Sequence, residues 1–305
     1  MSSSDKAAIL CAGIAVQDIV MRVERFPLPG EKVAASEFIV TGGGCAANAA
    51  VGIARLGGRV RFAGPLGGPP GAEPVSDRII ADLEHEGVDY SGVERVSGGS
   101  ASVSLILLDA SGEKSIATRR GSRLTECAPR DPDTLVADVA AVLIDNRFPA
   151  FVTPVVKAAR KRGIPVVIDG DQATHEDDAL LALGTHMIFS SECLIGTTGG
   201  SDLKHGLTRM RQRLTGFLAV TDGANGVHWF ADGVLHHMPA FAVTAIDTLG
   251  AGDAFHGAFT LALVEGRTEI EALRFASAAA ALKCTRFGGA AGSPKRAEVD
   301  ALLRR

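Results

Sequence analysis

The densest group of chemically useful residues is the run Asp247-Thr-Leu-Gly-Ala-Gly-Asp253-Ala-Phe-His-Gly257. Gly250 and Gly252, with Ala251 between them, allow a tight turn and a close approach of the backbone to a ligand. The following stretch predicts a helix, whose first N–H groups and positive dipole end would bind an anion. Asp253 could accept the proton of an attacking hydroxyl while these N–H groups stabilise a transferred phosphoryl group. An Asp after a Gly-rich turn is also a common helix cap, so both interpretations stay open on this run alone.

A second glycine-rich run, Thr41-Gly-Gly-Gly44-Cys-Ala-Ala-Asn48, joins a predicted strand to a predicted helix. Its Gly42-x-Gly44-x-x-Ala47 spacing matches a dinucleotide-binding fingerprint, which would make the protein a nicotinamide-dependent oxidoreductase. That motif needs an acidic residue about 20 positions later. No acid follows until Glu73. We therefore favour a backbone packed against a small polar ligand, with the Asn48 amide as donor and acceptor.

The elements that must position these runs alternate between short apolar stretches and longer helical patterns. This alternation predicts βαβ units around a mainly parallel sheet. Three helices are predicted to stop at a glycine, the residue favoured just after a helix end. They cover 46–56 before Gly57, 147–162 before Gly163 and 253–265 before Gly266. The predicted central strands are 8–15, 60–63, 141–145, 166–169, 187–190 and 217–221.

Two regions, 20–40 and 97–118, do not follow the alternation of strands and helices. They predict a small second sheet that acts as a lid. In the second region, 101–108 and 114–118 flank the turn Asp109-Ala-Ser-Gly112, a pattern typical of a β-hairpin. The segment 65–74 is rich in Pro and Gly and is predicted to be a loop.

Composition narrows the possible partners. The chain has 305 residues, and its 31 basic against 35 acidic side chains give a net charge of −4, with no basic run that would indicate nucleic-acid binding. The five cysteines include no C-x-x-C pair, which favours reduced thiols in a cytoplasmic protein over disulfides or structural zinc. No window reaches the roughly 18 consecutive apolar residues of a membrane span. We expect a cytoplasmic protein that binds neither nucleic acid nor membrane.

The two glycine-rich runs together resemble the two signatures of the ribokinase-like, phosphofructokinase-B type, carbohydrate kinases. They occur in the expected order and about 200 residues apart. The resemblance implies an α/β fold with a mainly parallel central sheet, helices on both faces and a small β-sheet lid. It also implies one domain over residues 1–305, with lid strands inserted from about 20–40 and 97–118. The implied activity is transfer of the γ-phosphoryl group of ATP to a sugar hydroxyl.

The resemblance also assigns residues to roles. Asp253 becomes the catalytic base, and Gly250, Ala251 and Gly252 become the anion hole. The run Thr221-Asp-Gly-Ala-Asn-Gly226 is similar to the turn that contacts nucleotide in these kinases. The implied ATP-binding residues are Thr221, Gly223 and Gly226, and the implied sugar-binding residues are Asp18 at the end of the first strand, Gly43, Gly44 and Asn48.

One segment departs from the family pattern. Its N-x-x-E motif, which orders magnesium-bound water and phosphate, is replaced by Phe189-Ser-Ser-Glu192-Cys193. The acid is displaced to Glu192, which is therefore the candidate metal-binding residue. Mg²⁺ would bind mainly through nucleotide phosphates and waters, because it seldom needs a cage of protein ligands. A monovalent cation such as K⁺ is a further candidate cofactor.

Four arginines bear on which sugar is phosphorylated. Arg147 directly follows the strand 141–145, where α/β sheets place ligand-binding groups, and Arg119, Arg120 and Arg123 follow the predicted hairpin. Arginines facing the sugar could bind a sulfonate or phosphate with two hydrogen bonds. The stretch 273–289 is also similar to ketohexokinases and sulfofructose kinase. These features favour a ketose that bears an anionic group, with a neutral ketohexose as the alternative.

The sequence is compatible with three functions. The first is an ATP- and Mg²⁺-dependent sugar kinase whose lid excludes water. The second is the nicotinamide-dependent oxidoreductase described above, which lacks its acidic residue. The third is a sugar-binding regulator without activity, suggested by the altered 190–193 segment and opposed by the intact Asp253. A homodimer through the lid strands is expected if they pair across a two-fold axis, since exposed sheet edges favour pairing.

Overall fold

The computed structural model describes residues 7–231 and 233–304. Its strands are β1 Ala8–Ala12, β2 Val16–Val23, β3 Ala35–Gly43, β4 Val60–Gly67, β5 Asp89–Val96, β6 Ser102–Leu108, β7 Lys114–Arg119, β8 Val139–Asp145, β9 Val166–Gly170, β10 His186–Ser190, β11 Phe217–Thr221, β12 Val227–Ala231 and β13 Val234–Met238. Its α-helices are α1 Cys45–Arg55, α2 Pro74–His85, α3 Pro132–Leu135, α4 Pro149–Lys161, α5 Ala179–Ala182, α6 Ser191–Thr198, α7 Leu203–Arg211, α8 Ala251–Val264, α9 Glu269–Cys284 and α10 Arg296–Leu303. Every predicted central strand and each of the three predicted glycine-terminated helices is present.

The large sheet has the strand order β13-β12-β11-β10-β9-β8-β1-β4-β5. Its neighbours from β11 to β5 are parallel, and β12 and β13 add an antiparallel edge. One apolar core packs α1, α8 and α9 on one face, and a second packs α4, α6 and α7 on the other. Helices on both faces explain why the central strands are nearly continuous apolar runs.

The predicted helix ends are set by backbone geometry. Gly57, Gly163 and Gly266 have φ values of +81°, +71° and +81°, the left-handed region that glycine adopts without a steric penalty. The structure therefore confirms that these three glycines mark the stops of α1, α4 and α8.

A second, four-stranded sheet has the order β3-β2-β6-β7 and will be called the small sheet. The predicted hairpin is confirmed as the antiparallel pair of β6 and β7. The first predicted region is longer than 20–40, since β2 begins at Val16 and β3 ends at Gly43. The small sheet therefore continues directly into the glycine-rich run before α1.

The placement of Asp18 at the end of the first strand is wrong. The chain leaves the large sheet after Ala12 at Gly13, whose φ is +153° and where a Cβ would collide with the Asp145 carboxylate. Asp18 lies instead on β2 of the small sheet, paired with Thr41 on one side and Ser104 on the other.

The loop predicted over 65–74 is shorter than expected, because β4 continues to Gly67 and α2 begins at Pro74. Pro65 is tolerated in the strand because the pairing of β4 with β1 ends at Ala63, which leaves only β5 alongside. A proline without an N–H costs little where one strand side is unpaired. No helix in the described part of the chain is both long and apolar enough to cross a bilayer.

Candidate active site

The two glycine-rich runs meet at the first turns of α1 and α8. The Asn48 side-chain amide donates a 2.7 Å hydrogen bond from Nδ2 to Asp253 Oδ2, across 205 residues of sequence. Burial and the nearby Asp169 raise the pKa of Asp253 to about 7, and the Asn48 hydrogen bond opposes this. A carboxylate that titrates near neutral pH is suited to accept a proton.

The turn before Asp253 presents the start of a helix. Gly250 caps α8 with φ +75°, and its left-handed conformation favours glycine. The Ala251 N–H already donates to Thr248 O at 3.2 Å, within the turn. Gly252 is exposed, and a Cβ there would meet open space. The helix start therefore faces an accessible volume in which an anion could bind its first-turn amides.

The predicted nucleotide residues adjoin this turn. Thr221, Gly223 and Gly226 line a cavity of about 390 Å³ together with Ala251 and Gly252. The rest of its lining is mostly apolar, namely Ala224, Ala240, Phe241, Ala242, Val243, Ala245, Thr248, Phe255, Ser277, Ala280, Ala281 and Cys284. Because the cavity ends at the start of α8, a ligand in it could place an anionic group against Gly252.

The predicted sugar residues lie where the small sheet meets α1. Asp18 is buried, and burial raises its pKa to about 6 while a hydrogen bond with Ser104 opposes the rise. A Cβ at Gly43 would collide with the Asp18 carboxylate. Gly44 caps α1 with φ +93°, where a side chain would collide with Ile14 O. The glycines of this run are therefore required by close packing and backbone conformation.

Sequence reasoning missed two buried carboxylates, Asp145 at the end of β8 and Asp169 on β9. Asp145 accepts hydrogen bonds from the backbone N–H groups of Ile14, Ala46 and Arg147 at 2.8, 3.1 and 3.0 Å. It thereby ties the start of α1 to the end of β8. Their position in the sequence could have identified these two residues as site candidates. Acidic residues at the carboxyl ends of neighbouring parallel strands lie together at one edge of the sheet.

Asp169 is buried among other titratable side chains. Burial, together with Asp171 and Asp145, raises its pKa well above the usual range. His256 lies beside it, with 3.5 Å between His256 Nε2 and Asp169 Oδ1. The imidazole is buried on the same helix as Asp253, its Nδ1 2.7 Å from Gly252 O. This makes His256 part of the support of the α8 turn.

A possible metal-binding group is formed by Cys45, Asp169 and Asp253, whose ligand atoms lie within 4.8 Å of one another. Burial, followed by the surrounding carboxylates, raises the pKa of the Cys45 thiol well above its ordinary value, so the sulfur stays protonated. Mg²⁺ prefers oxygen ligands, and a protonated thiol is a poor ligand. This group therefore does not fit Mg²⁺.

Glu192, the predicted metal-binding residue, is exposed in the first turn of α6. Ser190, just before it, caps that helix by accepting a hydrogen bond from Cys193 N and pairs with Thr221 in the sheet. The Ser that replaces the expected Asn therefore acts as a helix cap. Glu192 lies at the end of the sheet that carries the nucleotide residues.

Two of the four predicted arginines, Arg147 and Arg119, have polar partners. Arg147 forms an ion pair with Asp171, and both side chains are partly exposed. Arg119, Arg120 and Arg123 are exposed, and Arg119 donates to Ser100 Oγ at 3.1 Å. The cation of Arg147 is thus shared with a carboxylate in a region that also holds Asp145 and Asp169.

The sequence is similar to those of known carbohydrate kinases along most of its length. Residues 6–296 match the model of the pfkB family carbohydrate kinases. Ribokinase of Bacillus subtilis is 30% identical over 298 residues, covering 97% of this chain and 99% of that protein. Ribokinase of Haemophilus influenzae is 30% identical over 290 residues, covering 92% and 94%.

Solved structures agree along almost the whole chain. The structure of Arabidopsis thaliana ribokinase complexed with ribose and ATP has a TM-score of 0.83 at 27% identity, covering 98% of this chain and 99% of that one. Ribokinase from Thermotoga maritima has a TM-score of 0.82 at 28% identity, covering 98% and 100%. The chain therefore belongs to the pfkB family of carbohydrate kinases and is a phosphotransferase with an alcohol group as acceptor.

Proposed function

We propose that this kinase transfers the γ-phosphoryl group of ATP to a hydroxyl of a small neutral monosaccharide, a pentose or a ketohexose. The observation that carries the proposal is the hydrogen bond between Asn48 and Asp253 at the start of α8, beside the cavity lined by Thr221, Gly223 and Gly226. This contact supports the proposal because a proton acceptor, an anion-binding helix start and a nucleotide-sized cavity would then lie next to one another.

In the proposed reaction, Asp253 accepts the proton of the attacking sugar hydroxyl. Asp18, Gly43, Gly44 and Asn48 hold the sugar, with carboxylate and amide oxygens accepting hydrogen bonds from its hydroxyls. The N–H groups of Gly250 and Gly252, on either side of Ala251, stabilise the charge of the transferred phosphoryl group.

Mg²⁺ would accompany ATP in this proposal and would supply positive charge that offsets the charge of the phosphates. Glu192 offers an exposed carboxylate at the nucleotide end of the sheet, which fits a cation that prefers oxygen ligands and keeps several waters. Its contribution would be to position a metal-bound water.

A neutral sugar is proposed because of the charges at the carboxyl edge of the sheet. Arg147 is already paired with Asp171, while Asp145 and Asp169 are buried close by. An added sulfonate or phosphate would have to share the Arg147 cation with the Asp171 carboxylate. Hydroxyl groups, by contrast, can donate to carboxylates. The anionic ketose remains the competing substrate, and ribose enters the panel because the similar proteins are ribokinases.

We also propose that residues 1–305 act as one domain in which the small sheet closes as a lid, excluding water from the site. The five cysteines are free, which fits a cytoplasmic location. A homodimer would use the outer face of the small sheet. Apolar side chains share that face by strand register and are partly or fully exposed, namely Ile19, Met21, Phe38, Leu105 and Leu107.

The catalytic role is tested by Asp253→Asn, which keeps the shape of the side chain and removes the proton acceptor. We expect kcat to fall by about 10³-fold or more, in line with general-base contributions, while sugar and ATP still bind. ADP release and calorimetric binding measure the two effects. Asp133→Asn, exposed in α3, is the control. Turnover within tenfold of wild type in Asp253→Asn would contradict the role of Asp253 as base.

The pH dependence follows from the pKa of Asp253, which is raised to about 7. Only the ionised carboxylate accepts a proton, so kcat/KM should be constant above pH 7 and fall about tenfold per pH unit below it. Asp171→Asn removes a neighbouring negative charge that raises this pKa. The pH below which kcat/KM falls should therefore be lower in Asp171→Asn, which separates the enzyme group from the titration of ATP. An unchanged pH profile in Asp171→Asn would assign the titration to another group.

The substrate proposal is tested with ribose, fructose, and 6-phospho- and 6-sulfo-ketoses in a coupled ADP-release assay. We expect kcat/KM for a neutral sugar to exceed that for any anionic sugar at least tenfold. Arg147→Met should leave this preference unchanged, as should the control Arg119→Met. A wild-type preference for an anionic ketose that Arg147→Met abolishes would instead identify Arg147 as the anion-binding residue.

The dimer is tested by light scattering during size-exclusion chromatography. Wild type should elute with twice the chain mass, and Phe38→Glu should elute as a monomer, since it places a charge on a side chain that is 61% exposed on the outer face. Leu28→Glu, an equally exposed apolar residue outside the strands, should stay dimeric. A monomeric wild type would exclude the proposed association.

A further inference from the structure

Lys283 is a fully buried lysine that the proposed reaction does not use. It lies in the last turn of α9 and has a side-chain exposure of 0%. Its Nζ is 3.0 Å from Asp247 O, 3.2 Å from Asp247 Oδ2 and 3.4 Å from Arg286 O. A buried lysine is rare unless it is paired, so this side chain has a specific partner set.

The three oxygens match the charged form of the amine. An ammonium group carries three N–H donors and no acceptor, and here three acceptors surround it. A neutral amine would direct its lone pair at one of these oxygens. Burial lowers the pKa of Lys283, while the Asp247 carboxylate opposes this change. The geometry therefore describes a buried ammonium bound to one carboxylate and two backbone carbonyls.

Asp247 connects this ammonium to the anion hole. Its Oδ1 accepts from Leu249 N at 2.8 Å, directly before Gly250. Its Oδ2 accepts from Gly288 N at 2.9 Å and Gly289 N at 3.4 Å. The buried carboxylate thus joins the loop that enters α8 to the loop that follows α9.

The ammonium stabilises this junction in two ways. It neutralises a carboxylate that has no exposed surface, and an unpaired buried charge is costly. It also bonds Arg286 O, which holds the second loop against the first. Without this charge, the buried Asp247 carboxylate would have no cation to pair with, and Leu249 would lose its fixed acceptor.

We propose that the Lys283 ammonium is an internal cation that positions the anion hole, in place of a dissolved monovalent cation. This inference rests on the proposed function of Gly250, Ala251 and Gly252. K⁺ is a candidate cofactor from the sequence, and a dissolved cation that positioned this turn would need carboxylate and carbonyl oxygens next to it. In the described residues, the cluster formed by Asp247 and Arg286 is already bound by Lys283, so it does not fit an additional cation.

The first test compares wild-type enzyme in KCl, NaCl and tetramethylammonium chloride at equal ionic strength, with ATP as its Tris salt and Mg²⁺ constant. Tetramethylammonium is too large to enter a site of this size. We expect kcat to agree within twofold among the three salts. Activation by K⁺ of tenfold or more over tetramethylammonium would overturn the proposal, whatever the variants do.

The second test uses Lys283→Met, which keeps the aliphatic volume without charge, and Lys283→Ala, which leaves space for a small cation. We expect kcat to fall at least tenfold in both, with the KM for sugar within threefold of wild type, because the anion hole acts on the transferred phosphoryl group. Added NH₄⁺ or K⁺ at about 100 mM should restore Lys283→Ala several-fold and leave Lys283→Met unchanged. The exposed Lys157→Met is the matched control.

Circular dichroism melts confirm that each variant is folded, and the wild-type salt series decides the question if one is not. Full activity in a folded Lys283→Met would overturn the proposal, as would a loss in Lys283→Ala that no cation restores. These outcomes concern Lys283 alone, because wild-type turnover persists in them. Absence of wild-type turnover across the sugar panel would instead overturn the proposed function, and the positioning role with it.

Discussion

The contact between Asn48 and Asp253 is the constraint on which the site depends. It requires the N-termini of α1 and α8 to lie side by side, although 205 residues separate the two side chains. Both helices pack against the same face of the large sheet, in the core that also contains α9. The parallel strand order then brings β8 and β9 to the same edge, because the carboxyl ends of parallel strands point one way. The sheet therefore determines the active site by placing several chain segments at one edge.

Several carboxylates are buried near this edge, although burying a charged group is costly. Three of them are stabilised by different sets of donors. Asp145 receives three backbone N–H bonds, which substitute for water. Asp247 receives the Lys283 ammonium and three amides. Asp253 has a single side-chain donor in Asn48 and a raised pKa. Of these three carboxylates, Asp253 has the fewest donors and is suited to exchange a proton. Asp145 and Asp247, which accept several hydrogen bonds, hold the backbone in position.

Local patterns were sufficient to predict much of this arrangement. The apolar runs predicted the central strands, and Gly57, Gly163 and Gly266 predicted helix stops, because both depend on short-range conformational preferences. Asp18 is assigned to the wrong strand, since the end of β1 at Ala12 is followed by Gly13, whose close approach to Asp145 involves a residue more than 130 positions away. Lys283 lies in a stretch of alanines and leucines that predicts an ordinary helix. No local pattern indicates that its amine contacts Asp247, 36 residues earlier in the sequence. Long-range pairing of charges was the part that the sequence alone could not provide.

The distribution of cations bears on how this chain stabilises a transferred phosphoryl group. Arg147 is paired with Asp171, and Lys283 is buried behind the α8 turn, so neither offers an unshared charge at the reacting position. The groups that the turn does offer are amide dipoles at a helix start, which are fixed by the backbone and need little reorganisation during reaction. Fixed dipoles stabilise charge only as well as they are aligned. An internal cation that holds Asp247, and through it Leu249 and Gly250, would therefore act on catalysis without touching the substrate.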